Sequence, residues 1–229
     1  MSYLAPNEST MRPTHTIEDY LMAMHVLERD HGEIVAARLA EMLGVSPATV
    51  AMTLKRMERD HWISGKSRKM IQLTESGRAA AHSVVRRHML VEWLLVKVFH
   101  LPVLETHSEA HALEHAISAT LETRMCQILG DPQLCPHGNP FPGYEYLTEN
   151  WQPLIKLDPG DQATLRRIHE TMEDDLEILE FLKTNILEPG VEIQIDEVLP
   201  FNQTVSITTQ GRQVTLGYKI AMNIFAEKK

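Results

Sequence analysis

The stretch GVSPATVAMTLKRMERDHWISGKSRKMIQLT, residues 44–74, decides how this chain is read. Gly44 suits a helix C-terminus, Ser46 an N-cap and Pro47 the first helical position. Val50, Leu54 and Met57 then recur at helical spacing, so a helix is expected from Pro47 to about Asp60. Upstream, Val35–Leu43 reads as a second short helix with Leu39, Met42 and Leu43 apolar. Two short helices joined by a tight glycine turn form a helix-turn-helix pattern. Downstream, Trp62–Gly65 and Met70–Thr74 read as a small β-hairpin around a basic turn. Helix-turn-helix plus hairpin is a winged helix.

Charge supports that reading. The 229 residues carry 22 Lys+Arg and 31 Asp+Glu, a net of −9. Residues 1–87 hold 12 basic and 10 acidic side chains, and the rest hold 10 and 21. Between Ser46 and Ile71 six basic residues (Lys55, Arg56, Arg59, Lys66, Arg68, Lys69) face only Glu58 and Asp60. A basic island in an acidic chain is an electrostatic footprint for phosphate. At the start of the second helix, Ala48 and Met52 could contact thymine methyls, and Ser46, Thr49 and Thr53 could reach phosphates. Arg56, Lys66, Arg68 and Lys69 would add affinity without sequence preference. No Arg, Asn or Gln occupies the exposed start of that helix, so some specificity is expected from DNA shape.

Working outward, Met1–Pro13 is polar with two prolines and reads as a loose arm. A helix is expected to start near Thr16 and end at His31-Gly32, with Tyr20, Leu21, Met24 and Leu27 on one face. Ser76–His100 and a stretch from Glu105 to about Leu129 read as two long helices, suited to a homodimer interface that would match a palindromic operator. Asp131–Trp151 is rich in Pro and Gly and marks a boundary. Beyond it Leu154–Leu157, Gln162–His169, Glu192–Leu199, Thr204–Thr208 and Gln213–Leu216 read as short strands, with one helix at Glu173–Lys183, which suggests a small barrel. The fold class expected is mainly α with a C-terminal α+β part: a winged helix over 1–74, a helical metal-binding and dimerisation domain over 75–150, and a small SH3-like β-barrel over 151–229. Hydrophobic residues at 43% allow an ordinary core. No run approaches the ~20 apolar residues of a membrane span, no signal peptide is visible, and two cysteines fit a reducing cytoplasm rather than a disulfide framework.

Two clusters carry chemistry. His111, Glu114 and His115 share one helical face, because spacings of three and four are neighbours. His107 lies a turn earlier, and Asp19 is the expected fourth ligand beside His111, Glu114 and His115. His88 and Glu92 are also four apart on the preceding helix, and Cys135-Pro136-His137 offers further donors. Imidazoles and carboxylates at these spacings favour a divalent metal. The same His111–His115 segment spells H-x-x-E-H, the signature of an inverted zinc peptidase with Glu114 as general base. A peptidase leaves the winged helix without a role, so no enzyme and no small organic substrate are expected. A winged-helix regulator gated by an organic ligand is the other alternative.

The segments IEDYLMAMHVL (17–27), SPATVAMTLKRMERD (46–60), LTESGR (73–78), RRHMLVEWLL (86–95), HSEAHALEHAIS (107–118) and CPHGNPFPG (135–143) together resemble the diphtheria-toxin-repressor and manganese-regulator (DtxR/MntR) family of metal-dependent transcriptional repressors. PGD (159–161), EPG (188–190) and TLGYKIAMNIF (215–225) resemble the FeoA-type SH3-like domain of its longer members. The resemblance implies a primary metal position at Asp19, His111, Glu114 and His115. It implies an ancillary one at His88, Glu92 and His107, with Cys135, His137 and Asp175 recruited to it. A metal there would bridge the DNA-binding and dimerisation domains and act as co-repressor. Iron-type members carry Met and Cys where this chain has Asp19 and His111, and manganese-type members carry Asp and Glu there and a further Glu at the position of Met22, so Asp19 is manganese-like while His111 and Met22 depart from that pattern. A thiolate-free Asp/His/Glu/His set is hard to borderline, so the expected order is Mn(II), then Fe(II), then Zn(II).

Overall fold

A computed structural model describes residues 12–65 and 71–229. The readings made for Lys66, Arg68, Lys69 and the arm up to Met11 lie outside them. The chain divides into two compact units. One runs up to His88 and adds Leu113–Arg124; the other is Met89–Ala112 with Met125–Lys229.

The first unit opens with α1 (His15–His31), α2 (Ala36–Met42) and α3 (Pro47–Arg59). Helix α1 begins at His15, one residue before Thr16, with Thr14 in the N-cap position, and ends at Gly32, whose φ of 70° is the left-handed closing conformation. The α2–α3 turn forms as its sequence dictates. Gly44 takes φ 61°, its N–H bonds Glu41 O, and the Val45 N–H reaches back to Ala40 O at 3.0 Å, which closes α2. Ser46 Oγ then accepts from the Thr49 N–H at 3.1 Å and starts α3. Leu21, Met24, Leu39, Val50, Met57 and Trp62 bury together as the core of this three-helix body. The hairpin pairs β1 (Ile63–Ser64) with β2 (Gln72–Leu73) antiparallel. Helix α4 (Glu75–Lys97) follows at once. Thr74 Oγ1 accepts from Gly77 N–H at 3.0 Å and donates to His61 O at 2.7 Å. A Cβ on Gly77 would meet Trp62 O at 1.8 Å, so only glycine fits there.

The single helix expected from Glu105 to Leu129 is corrected to two, α5 (His107–Glu114) and α6 (Ala119–Leu129). Ser118 explains the break. Its Oγ accepts from the Leu121 N–H at 3.2 Å and its carbonyl from the Glu122 N–H at 2.8 Å, so a new helix starts there.

In the second unit, β3 (Gln152–Pro153), β4 (Gln162–Ile168), β5 (Glu192–Leu199), β6 (Thr204–Thr209), β7 (Arg212–Gly217) and β8 (Ile224–Lys228) form one antiparallel sheet in the order β3-β8-β4-β5-β6-β7. Register shifts at Leu165/Arg167 and Ile195/Glu197 bend it in the SH3-like manner. Helix α7 (Leu176–Thr184) and the short α8 (Tyr218–Ala221) pack with it around Leu154, Leu165, Ile168, Leu182, Ile195, Ile207 and Leu216. Leu154–Leu157, expected as a strand, is a 3-10 turn over Leu154–Lys156, and α7 starts at Leu176 rather than Glu173. Among the described residues no helix is long and apolar enough to cross a membrane.

Candidate metal centre

In the first unit, three elements converge. Helix α1 supplies Glu18 and Asp19, the end of this unit's part of α4 supplies Arg87 and His88, and Glu114 and His115 close α5. One donor atom each from Asp19, Glu114 and His115 lies within 4.8 Å of the others. His115 Nε2 stands 3.2 Å from Asp19 Oδ1 and 3.6 Å from Glu114 Oε1. Its other nitrogen, Nδ1, lies 2.6 Å from Glu18 Oε2. Glu18 in turn accepts from Arg87 Nη2 at 2.7 Å, and Arg87 Nη1 donates to Glu114 O at 3.1 Å. His88 Nδ1 lies 2.5 Å from Glu114 Oε2. His111 stands one turn before Glu114 on α5.

The donor set suits a divalent cation. Two carboxylates and an imidazole aimed at one point form a hard-to-borderline set. The imidazole is turned by a carboxylate behind it, as metal-binding histidines commonly are.

In the second unit, Glu92, His107 and Glu173 bring one donor atom each within 4.8 Å, and so do Glu92, Cys135 and His137. His107 Nδ1 lies 2.8 Å from Glu173 Oε2, and His137 Nδ1 lies 3.0 Å from Glu92 Oε1 and 3.5 Å from Glu173 Oε1. His88 precedes Glu92 by one turn of α4. The loop that delivers Cys135 and His137 is tightly fixed. Cys135 N–H bonds Asn139 O at 2.8 Å, and Asn139 Nδ2 bonds both Glu173 Oε1 and Ile168 O. Gly138 has φ 86°, and a Cβ there would meet Arg166 O at 1.9 Å.

Neighbouring carboxylates favour the protonated forms in this buried set. Burial alone would lower the His107 imidazole, but hydrogen bonds to Asp174 and Glu173 and the charges of Glu173 and Glu92 hold it well above the ordinary range. Burial works the same way on His137, and Glu173 and Glu92 overturn it. Burial, Glu92 and Glu173 push the Cys135 thiol well up. A divalent cation would displace these protons and turn Cys135 into a thiolate ligand.

Two expectations change. Asp175 is not at the cluster: its Oδ1 caps α7 by accepting from Glu177 and Ile178 N–H at 3.2 Å, and Glu173 is the carboxylate that arrives instead. Thr53 is buried on the inner face of α3 and cannot reach a phosphate. Ser46, Ala48, Thr49 and Arg56 are exposed, and Met52 is 73% exposed, so the outer face of α3 is open. Sequence reasoning missed Glu18 and Arg87. Both are buried charges next to ligand candidates, but in the sequence Glu18 reads as an ordinary first-turn acid.

A helix-turn-helix with a cluster of side chains suited to a divalent cation in the same unit, followed by an SH3-like sheet, is the arrangement of a metal-responsive DNA-binding regulator. Residues 13–70 match "Iron dependent repressor, N-terminal DNA binding domain", residues 74–143 match "Iron dependent repressor, metal binding and dimerisation domain", and residues 152–228 match the FeoA domain. The chain is 33% identical over 224 residues to the iron-dependent repressor IdeR of Mycobacterium tuberculosis, covering 93% of this chain and 97% of that one. It is 32% identical over 222 residues to the diphtheria toxin repressor of Corynebacterium efficiens, covering 93% and 95%. Among solved structures it superposes on a manganese-dependent transcriptional repressor in complex with manganese with a TM-score of 0.80 at 28% identity, covering 93% of this chain and all of that one. The chain belongs to the iron-dependent repressor family.

Proposed function

We propose that the chain is a homodimeric repressor that binds a palindromic operator when a divalent metal, Mn(II) ahead of Fe(II) and Zn(II), occupies Asp19, Glu114 and His115, with His111 as fourth donor. The observation that carries this is the convergence of Asp19, Glu114 and His115 in the unit that also contains α3. Bound there, the cation supplies the positive charge that lets carboxylates from two helices share one point. The residues do the rest. Asp19 lies on α1, whose Leu21 and Met24 pack in the same core as Val50 and Met57 of α3. Fixing Asp19 against Glu114 and His115 therefore fixes α1 relative to the end of α5, and with α1 the body that carries α3. Leu121 and Ile128, two turns apart on α6, are 46% and 79% exposed and supply apolar area for a second copy. The division at 74 and 150 assigns DNA contact, dimerisation and the FeoA domain to successive segments, and the protein works in the cytoplasm.

Glu114 is poorly placed for the peptidase role. It is fully buried, with Oε2 against His88 and its partner oxygen near His115, rather than turned toward solvent. The donor set lacks a thiolate, which supports the manganese ordering, and a similar solved structure is a manganese-dependent repressor in complex with manganese. The test is fluorescence anisotropy of chelator-stripped protein on its own upstream DNA, titrated with Mn(II), anaerobic Fe(II) and Zn(II). A tenfold or larger gain, about 1.4 kcal/mol of coupling, is expected with Mn(II). Equal affinity with and without every metal overturns the reading.

A further inference from the structure

Glu18 and Asp19 are adjacent on α1, and successive helical side chains diverge by ~100°. They nonetheless reach the same imidazole from opposite edges. Asp19 Oδ1 lies 3.2 Å from His115 Nε2, and Glu18 Oε2 lies 2.6 Å from Nδ1. Behind Glu18 stands Arg87, buried like Glu18 itself. Arg87 is held in turn by two backbone carbonyls: Ser83 O one turn back on α4 at 3.3 Å, and Glu114 O at 3.1 Å. The His15 ring stacks on the His115 ring at 4.4 Å and 9°. The in-plane rotation of His115 is thus fixed by Glu18 and its tilt by His15.

We propose that Glu18, anchored by Arg87, is a positioning residue that acts through His115: it holds the proton on Nδ1 and presents the Nε2 lone pair to a divalent cation shared with Asp19 and Glu114. This inference rests on the metal reading of Asp19, Glu114 and His115. Here the carboxylate has one oxygen on the guanidinium and the other on the imidazole, so its two oxygens do separate tasks. A carboxylate behind a ligating imidazole raises ligand basicity and fixes the tautomer, and its loss commonly costs about 10–100-fold in metal affinity.

The probe is Co(II) added to the chelator-stripped full-length protein. A near-ultraviolet thiolate band marks occupation of the set containing Cys135, and visible bands without it mark the thiol-free set. Mn(II) affinity is then measured by the loss of the free-ion resonance. Glu18→Gln is expected to weaken the thiol-free site by about 10–100-fold and to shift its visible bands. In a His115→Ala background Glu18→Gln is expected to add less than about twofold, because the residue through which it acts is gone. Unchanged affinity and bands in Glu18→Gln, or losses that simply multiply in the double variant, overturn the proposal. If Glu18→Gln does not fold, Glu18→Asp keeps the charge and withdraws the oxygens by one methylene. It should bind Mn(II) more weakly than wild type at a temperature where both are folded, and wild-type affinity in it overturns the proposal. Asp19→Ala separates the two levels: if it too leaves the affinity unchanged, the metal reading itself has failed, whereas a loss in Asp19→Ala alone removes only the role of Glu18.

Discussion

The two clusters of donors are built in opposite ways. The first is carried by helices, has no thiol, and keeps Asp19 about 29% exposed. The second is sunk in its unit, takes Cys135 and His137 from a loop and Glu173 from the segment before α7, and balances its two carboxylates with raised imidazoles. A partly open site on helices can change occupancy without loss of the fold, because α1 and α5 exist through their own hydrogen bonds. A buried site made by a loop is part of how that loop packs. On the proposed reading, the first cluster switches and the second reinforces its unit.

That contrast can be broken at several points. The largest effect is expected from Gly138→Ala, which sets a methyl against Arg166 O and forces a left-handed conformation on alanine. About 3 kcal/mol of destabilisation is expected, read by urea denaturation, together with loss of the thiolate-to-Co(II) band and retention of the thiol-free bands. Loss of both sets of bands at equal stability would erase the distinction between the clusters. Next comes Glu173→Gln, which removes a charge from the buried set. Its metal affinity is expected to fall about 10–100-fold, measured by calorimetric titration, and affinity equal to wild type would return the ligand role to a neighbouring carboxylate. Asp175→Ala should cost only about 1 kcal/mol through the α7 cap and leave metal stoichiometry untouched. Ser46→Ala is the matching change in the first unit, again about 1 kcal/mol through the α3 cap, visible as a lower thermal midpoint with metal affinity unchanged.

Local chemistry made the first unit legible. A glycine closure, a serine cap and a proline at the first helical position each act within a few residues, so the α2–α3 turn could be read to within one residue. His111, Glu114 and His115 were legible for the same reason, since helical spacing fixes their common face. What escaped depended on long-range pairing. Strand β8 runs from apolar Ile224-Phe225-Ala226 into charged Glu227-Lys228, too short to read as a strand by itself, and is defined by its partners β3 and β4. The run Glu173-Asp174-Asp175 offers three carboxylates in succession, and only the turn before α7 decides which faces inward and which caps. Glu18 was hidden because its partners, Arg87 and His115, lie 69 and 97 residues away. The break between α5 and α6 has a local signal in Ser118, which caps α6 through its Oγ.

The central claim is that the thiol-free cluster gates DNA affinity and the buried one does not. The most direct measurement is the Mn(II)-dependent gain in operator affinity of Asp19→Ala, compared with Cys135→Ser, each with its bound Mn(II) counted. The account predicts that the gain collapses to within about twofold in Asp19→Ala, against tenfold or more in the wild type, while Cys135→Ser keeps most of it. A full gain in Asp19→Ala, or a collapse confined to Cys135→Ser, would contradict the account.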